Sequence, residues 1–373
     1  MTKEAYKNEQ QKREFLEYLG GGEGFEESSV NTFAEAVSQW QEFTENEDFA
    51  SFNKTKALGF RDWLKNRKAN TEAGHLALTT QYNYLRRIKK FFTWLSKQPR
   101  YKNKIIQSDI KFLRLSKGDA RIARQGTTRK IPTFEEAKQI IQSIKINNEI
   151  DMRDRALISF ALITGARISA ITTLKIKSFD LENKIINQNP KDGVKTKNKK
   201  HILTTFFPIG WDKPEEYFIE WFKYLIEEKK FNPDDPIFPA TLKGFSNQQG
   251  SYSKNSVSNK FWSSSSGPRK IFEKRCLSAG TPYFHPHLFR HLIVQIITEL
   301  RFTKKEERAL SMNLGHANIG TTFNTYGGYG SMGKKEAVDV VKQLKEYCAN
   351  ETTSTELSKE EKYTLKKVLH KII

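Results

Sequence analysis

Residues 285–291 read HPHLFRH, which places three histidines and an arginine in one short stretch of a chain that holds only seven histidines. Zinc is the first chemistry to test. Zinc sites draw on His together with Cys or carboxylate at short fixed spacings. This stretch offers neither, and the guanidinium of Arg290 in its middle would oppose a bound cation. Arginine suits the opposite charge, because its planar fork of donors clamps two phosphate oxygens. A histidine beside it can donate a hydrogen bond or move a proton. If residues 287–300 form a helix, His287 and Arg290 lie three apart on one face. His291 lies close by as well, so spacing alone does not choose between the two histidines.

One arginine does not neutralise a phosphorane transition state. A second is available in TGAR, where Arg167 follows an apolar helical segment. Further on, LGHANIGTTFNTYGGYG adds His316 and two tyrosines, Tyr326 and Tyr329, among glycines that allow a tightly turned or mobile segment. Tyrosine is a weak nucleophile at its ordinary pKa but serves in covalent catalysis when activated. Attack of a phenolate on a phosphodiester leaves a phosphotyrosine link and conserves the bond energy for religation. No metal and no nucleotide cofactor is needed where two arginines and a donor histidine hold the non-bridging oxygens.

The whole chain fits a polyanionic partner. Its 373 residues carry 63 Lys+Arg against 43 Asp+Glu, a net charge of +20 with a pI near 9.6. A surplus of this size points to nucleic acid. Cys276 and Cys348 lie far apart without metal-ligand spacing and read as reduced cytosolic thiols. The N-terminus has no apolar stretch of a secretory signal, and no run of residues is long and apolar enough to span a bilayer. A cytoplasmic, nucleoid-associated protein without a membrane partner is expected.

The elements that must position these residues fall into two domains. Residues 1–28 are polar, end in a flexible glycine-rich joint and read as a short helix or N-terminal tail. Residues 29–117 read as an all-α domain. Phe33, Val37, Trp40 and Phe43 recur at helical spacing, as do Tyr82, Leu85, Ile88 and Phe92. Beside the second stripe cluster Arg86, Arg87, Lys89 and Lys90, a candidate surface for phosphates. Residues 118–130 lack an apolar period, contain Arg121 and Arg124, and read as a basic linker. Residues 131–350 form a second, mixed α/β but mainly helical domain. It opens with a capped helix at Thr133 and contains a buried helix ending at Thr164-Gly165. A small antiparallel sheet is expected over 176–190 and 195–207, with helices near 214–229, 254–263, 287–300, 304–313 and 334–349. FWSSSSGPRK reads as a loop. Residues 351–373 form an amphipathic tail.

The ordered set of Arg in TGAR, H-x-x-R-H, then LGH followed by a tyrosine resembles the tyrosine recombinases, the phage integrase family, over residues 29–349. That resemblance implies a core-binding domain of SAM-like fold and a catalytic domain that clamp duplex DNA from opposite sides. It implies that Arg167, His287, Arg290 and His316 stabilise the transferring phosphoryl group and that Tyr326 is the nucleophile. It also implies a lysine on a β-hairpin as general acid. In GVKTKNKKHILTT, Lys195 fits best and Lys197 is the runner-up; Lys197 and Lys199 join the DNA-binding set. The implied activity is site-specific recombination, for a mobile element, through a 3′-phosphotyrosine. The implied partners are double-stranded recombination sites, a homotetramer in the synaptic complex with the 351–373 tail docked on a neighbour, and accessory bending or directionality proteins. A type IB topoisomerase or a non-catalytic DNA-binding module are the alternatives. Two positions depart from the family pattern: Ala170 stands where an acid is common, and Phe289 where Leu is usual.

Overall fold

The computed structural model describes residues 3–68, 74–125, 130–242, 244–246, 251–253, 256–299, 303–315 and 332–353. The chain divides into two compact units, Met1–Arg129 and Lys130–Ile373. Among the described residues, no helix is long and apolar enough to cross a membrane.

The first unit is built from α1 (Lys3–Glu17), α2 (Glu27–Phe43), α3 (Lys54–Asn66), α4 (Leu78–Leu95), the single turn α5 (Gln107–Ile110) and α6 (Lys117–Gln125). In α4 the apolar residues Leu85, Ile88, Phe92 and Leu95 recur at helical spacing and are all buried. They meet a cluster of rings in which Trp40 lies edge-on to Phe92 at 4.8 Å and Phe52 stacks on Phe92 at 4.1 Å. Such pairs add a preferred geometry to plain area burial.

Two expectations change in this unit. The segment from Lys3 starts with the expected short helix, but it is not a separate tail, because Phe15 and Leu19 are fully buried in the aromatic core. The buried amide of Asn8 also donates to the carbonyls of Asn46 (3.1 Å) and Glu47 (2.8 Å) and accepts from the Phe49 N–H (3.2 Å). The apolar set of α1 is thin, so its periodicity is weak. Likewise, most of the expected linker is α6. Ser116 accepts from the Asp119 N–H at its start, Ala123 is buried, and the Ala123 carbonyl accepts from the Thr79 hydroxyl at 3.1 Å. One small buried residue and a side-chain bond hold this basic helix, and neither leaves an apolar period.

The second unit contains α7 (Phe134–Gln142), α8 (Glu149–Thr164), α9 (Ile168–Ile171), strands β1 (Phe179–Asp180), β2 (Ile185–Gln188) and β3 (Ile202–Thr204), and α10 (Lys213–Glu227). A hairpin of β4 (Gly244–Ser246) and β5 (Ser251–Ser253) follows, then α11 (Ser266–Ser278), α12 (Pro286–Glu299), α13 (Lys304–Asn313) and α14 (Lys334–Thr353). Helix α8 is the central element: every residue from Ala156 to Thr164 is buried, with α10 and α12 packed against it. The nearly unbroken apolar run from Ala156 onward is what a helix segment covered on all sides requires. Strands β1, β2 and β3 pair antiparallel in that order, with Phe179 opposite Ile186 and Ile186 opposite Thr204. The Thr133 side chain caps α7 in a reciprocal pair with Glu136, and Thr303 caps α13 with Glu306 in the same way.

The strands are shorter than the alternation suggests, and no helix forms over 256–263, where the Trp262 indole instead donates to the Phe238 carbonyl at 2.9 Å. The serine-rich loop instead gives way to α11, whose Pro268 sits in the first turn, where proline is tolerated.

A buried group of four charges joins α8 to α11. The Arg275 Nε and Nη2 donate to Asp154 Oδ2 at 2.9 and 2.7 Å, and Nη2 also reaches Asp151 Oδ1 at 2.6 Å. Arg153 donates to Asp154 Oδ1 at 2.7 and 3.1 Å and, from Nη1, to the Pro239 carbonyl and the Thr241 hydroxyl. Two arginines and two aspartates leave no net charge, and each carboxylate oxygen of Asp154 accepts two hydrogen bonds. Removing one member strands a buried charge. Asp154→Ala is therefore expected to destabilise the protein by about 3–5 kcal/mol in equilibrium urea unfolding. Loss of the exposed carboxylate in Glu220→Ala, whose partner is Arg155, should cost less than about 1 kcal/mol. Equal effects of the two substitutions would contradict this reading.

Candidate active site

The TGAR turn is made by the end of α8. Gly165 closes the helix in the left-handed region (φ 57°, ψ 16°), with its N–H on the Ala161 carbonyl. Thr164 Oγ1 donates to the Phe160 carbonyl at 2.6 Å and accepts from the Ala166 N–H at 3.2 Å. The chain then leaves in extended conformation, and Arg167 stands at the N-cap of α9, half-exposed. A side chain at Gly165 is excluded twice. Positive φ is costly for other residues, and a Cβ there would lie 2.6 Å from Leu314 Cδ2 and 3.1 Å from Ile293 Cδ1. Leu314 begins LGH and Ile293 belongs to α12, so three motifs distant in sequence meet at this glycine.

Helix α12 carries the H-x-x-R pair. Pro286 occupies its first position, and the His285 ring takes the capping role, accepting the His287 N–H on Nδ1 at 3.2 Å. One of the four clustered histidines is thus structural. Leu288, Phe289, Leu292 and Ile293 are buried, and Phe289 packs edge-on against Phe272 at 5.3 Å. The larger ring at 289 therefore fills core space and touches no reacting group. His287 and His291 share the outer face, ring to ring at 4.7 Å.

Arg290 points inward. It is only 4% exposed, and its Nη1 donates to the Gly165 carbonyl at 2.8 Å. Its Nη2 is buried and has no hydrogen-bond partner among the described residues. The Arg167 guanidinium likewise has no hydrogen bond or ion pair to a described residue, although the backbone carbonyl accepts from the Ala170 and Ile171 N–H groups; Ala170, at the position of the usual acid, is buried in the apolar core. Burial lowers the pKa of Arg167, and burial followed by repulsion from Arg167 lowers that of Arg290 to about 10. Both remain charged at neutral pH. The His287 imidazole keeps an exposed edge, yet desolvation, then the charges of His291, Arg290 and Arg167, lower its pKa to about 4. The site is a desolvated pair of cations beside a neutral imidazole, with an unused donor. Among the described residues that arrangement has no anion, and its chemistry could hold a phosphoryl group.

Lys195 lies in the loop between β2 and β3. Its side chain is exposed, while its backbone N–H donates to Thr173 Oγ1 at 2.9 Å, just after α9. Lys197 and Lys199 are also exposed, in a tight turn where Asn198 and Lys199 both have positive φ. A buried polar joint ties this loop's strand to the LGH segment. Asn313 Oδ1 accepts the Thr205 N–H at 2.9 Å, its Nδ2 donates to the Thr205 carbonyl at 3.3 Å, and its carbonyl accepts from Thr204 Oγ1 at 3.0 Å. Gly315 (φ 68°) lies so close to Ile202 that a Cβ would meet Ile202 Cδ1 at 2.3 Å. No sequence pattern signals Thr173 or Asn313. His316, Tyr326 and Tyr329 lie outside the described residues, as does the chain beyond Thr353.

In the first unit Arg86, Lys89, Arg121 and Arg124 are exposed, and Arg87 is partly buried. Lys90 differs: it is ion-paired with Glu23 and lies over the Phe25 ring, which makes it a poor phosphate ligand.

Residues 130–328 match the phage integrase family. The chain is 25% identical over 316 residues to the tyrosine recombinase XerC of Lactobacillus delbrueckii subsp. bulgaricus, covering 83% of this chain and 91% of that protein. It is 22% identical over 322 residues to XerD of Oceanobacillus iheyensis, covering 83% and 90%. Among solved structures, a lambda integrase dimer bound to a COC′ core site superposes with a TM-score of 0.57 at 10% identity, covering 87% of this chain and 79% of that one. The XerH recombinase bound to its difH substrate gives 0.52 at 20% identity, covering 79% and 75%. These two share the fold. With more than half of its length matched, the chain belongs to the phage integrase family and is a tyrosine recombinase, an enzyme that breaks and rejoins DNA.

Proposed function

We propose that this recombinase integrates or excises a mobile element, with Tyr326 as nucleophile, Arg167, Arg290, His287 and His316 around the scissile phosphate, and Lys195 as general acid. The observation that supports this most is the buried, unused Nη2 of Arg290 beside Arg167. Two adjacent cations repel each other in the free protein. Each gains as charge grows on the phosphorane, which is transition-state rather than ground-state binding.

In this mechanism the Tyr326 Oη forms a bond to phosphorus and loses its proton to the neutral imidazole of His287. The P–O5′ bond breaks, and the Lys195 ammonium delivers a proton to the departing oxygen. The products are a 3′-phosphotyrosine and a free 5′-hydroxyl. A 5′-hydroxyl from a partner duplex reverses the sequence and exchanges strands. Lambda integrase forms a tetramer on a Holliday junction, and the same assembly, working on chromosomal DNA in the cytoplasm, is proposed here. Arg86, Lys89, Arg121 and Arg124 would follow the backbone on the first unit, and Lys197 and Lys199 on the second.

DNA flanking the gene is the first substrate to test. Wild-type protein should leave a protease-sensitive covalent adduct after denaturation, and Tyr326→Phe should leave none. An adduct that persists in the variant would move the nucleophile elsewhere, Tyr329 first.

The state of His287 gives a separate check. With a pKa near 4 the folded ring is neutral at pH 7, whereas the unfolded ring charges near 6.5. This group therefore weakens folding as pH falls from 6.5 towards 4, and the neutral base is lost only at the acid end of that window. An NMR titration should place the free-protein midpoint well below 6.5 and move it upward when DNA is bound, since a phosphate favours the charged ring. A midpoint at or above 6.5 in the free protein would contradict the assignment.

A further inference from the structure

We infer that Thr173 is a positioning residue for proton delivery: its hydroxyl fixes the backbone of Lys195 and thereby aims the ammonium at the leaving oxygen. The inference rests on the reading of Lys195 as general acid, and three contacts support it. Thr173 Oγ1 has a single proton, and the carbonyls of Ser169 and Ala170 lie 2.9 and 3.0 Å away to take it. A lone pair is left facing outward, and the Lys195 N–H donates to it at 2.9 Å. On one side of Lys195, Val194 is buried in the core; on the other, the Thr196 N–H returns to the Val194 carbonyl at 3.0 Å. A bond from i+2 back to i closes a tight γ-turn with Lys195 at its apex.

The lysine is thus anchored by its predecessor, folded by its successor and tied by its own N–H to the segment that carries Arg167. The runner-up, Lys197, sits two residues on, at the start of the exposed turn with positive-φ residues. A lysine ammonium is a point charge on a flexible stem, so fixing its Cα is the main way to limit where it can reach. Ala170 offers no side-chain oxygen, so the hydroxyl of Thr173, six residues beyond Arg167, provides the link between arginine segment and lysine loop.

The test compares two versions of the DNA site that gives the covalent adduct, one with the normal 5′ oxygen and one with a 5′-bridging phosphorothiolate. A 5′-thiolate is a good leaving group and needs no proton, so it bypasses the general acid without relieving any other defect. Lys195→Ala should cleave the oxygen substrate slower by about 10²–10⁴-fold and recover on the sulfur substrate. Thr173→Val should follow the same pattern with a smaller loss, about tenfold or more on oxygen. Thr173→Ser, which keeps the hydroxyl, should stay within about twofold of wild type on both. If Lys195→Ala is not rescued by sulfur, the general-acid reading fails and the inference falls with it. If Lys195→Ala is rescued but Thr173→Val is equally slow on both substrates, Thr173 is merely structural. Wild-type rates for Thr173→Val on both would overturn the inference as well.

Discussion

The bond from Arg290 to the Gly165 carbonyl is the constraint on which the rest of the site depends. It uses one end of a buried guanidinium and leaves the other end free. A carbonyl is a neutral acceptor, so it fixes the geometry of the arginine without quenching its charge. For that bond to form, the end of α8 must come within reach of α12, and only glycine allows it. The packing of Leu314 and Ile293 over Gly165 then brings the LGH segment to the same place. Fold and chemistry meet at a backbone atom.

The second unit treats its buried arginines in two opposite ways. Arg153 and Arg275 are saturated by Asp151, Asp154 and backbone or hydroxyl acceptors, and their group of four is neutral. Arg290 and Arg167 have no carboxylate among the described residues, and burial, then repulsion from Arg167, lowers the pKa of Arg290. Paired buried charges hold helices in register at little net cost in charge. Unpaired ones destabilise the empty site and bind an anion more strongly for it. The contrast separates scaffold from site more sharply than burial does, since all but Arg167 are almost fully covered.

The family was legible in the sequence because its motifs are a few residue types in a fixed order, and the long amphipathic helices were legible because their stripes are periodic. Helices α2, α3, α4 and α10 are of this kind. Where tertiary contacts replace periodicity, the reading failed. Helix α1 joins its core through Phe15, Leu19 and the Asn8 amide, α6 through Ala123, and α11 follows a run of serines. The ion group of α8 and α11 links residues more than a hundred positions apart, as does the joint between Asn313 and β3, and no local pattern announces either. Spacing did not separate His287 from His291, and both stand exposed on one face of α12, ring to ring, while His285 caps that helix.

The most direct test is the structure of Tyr326→Phe bound to its uncleaved DNA site. Arg290 should keep Nη1 on the Gly165 carbonyl while Nη2 lies about 2.7–3.2 Å from a non-bridging oxygen of the scissile phosphate, with Arg167 on the same group. A scissile phosphate seated away from Nη2, or an Arg290 that leaves Gly165 to reach it, would contradict the claim that this one backbone bond sets the site.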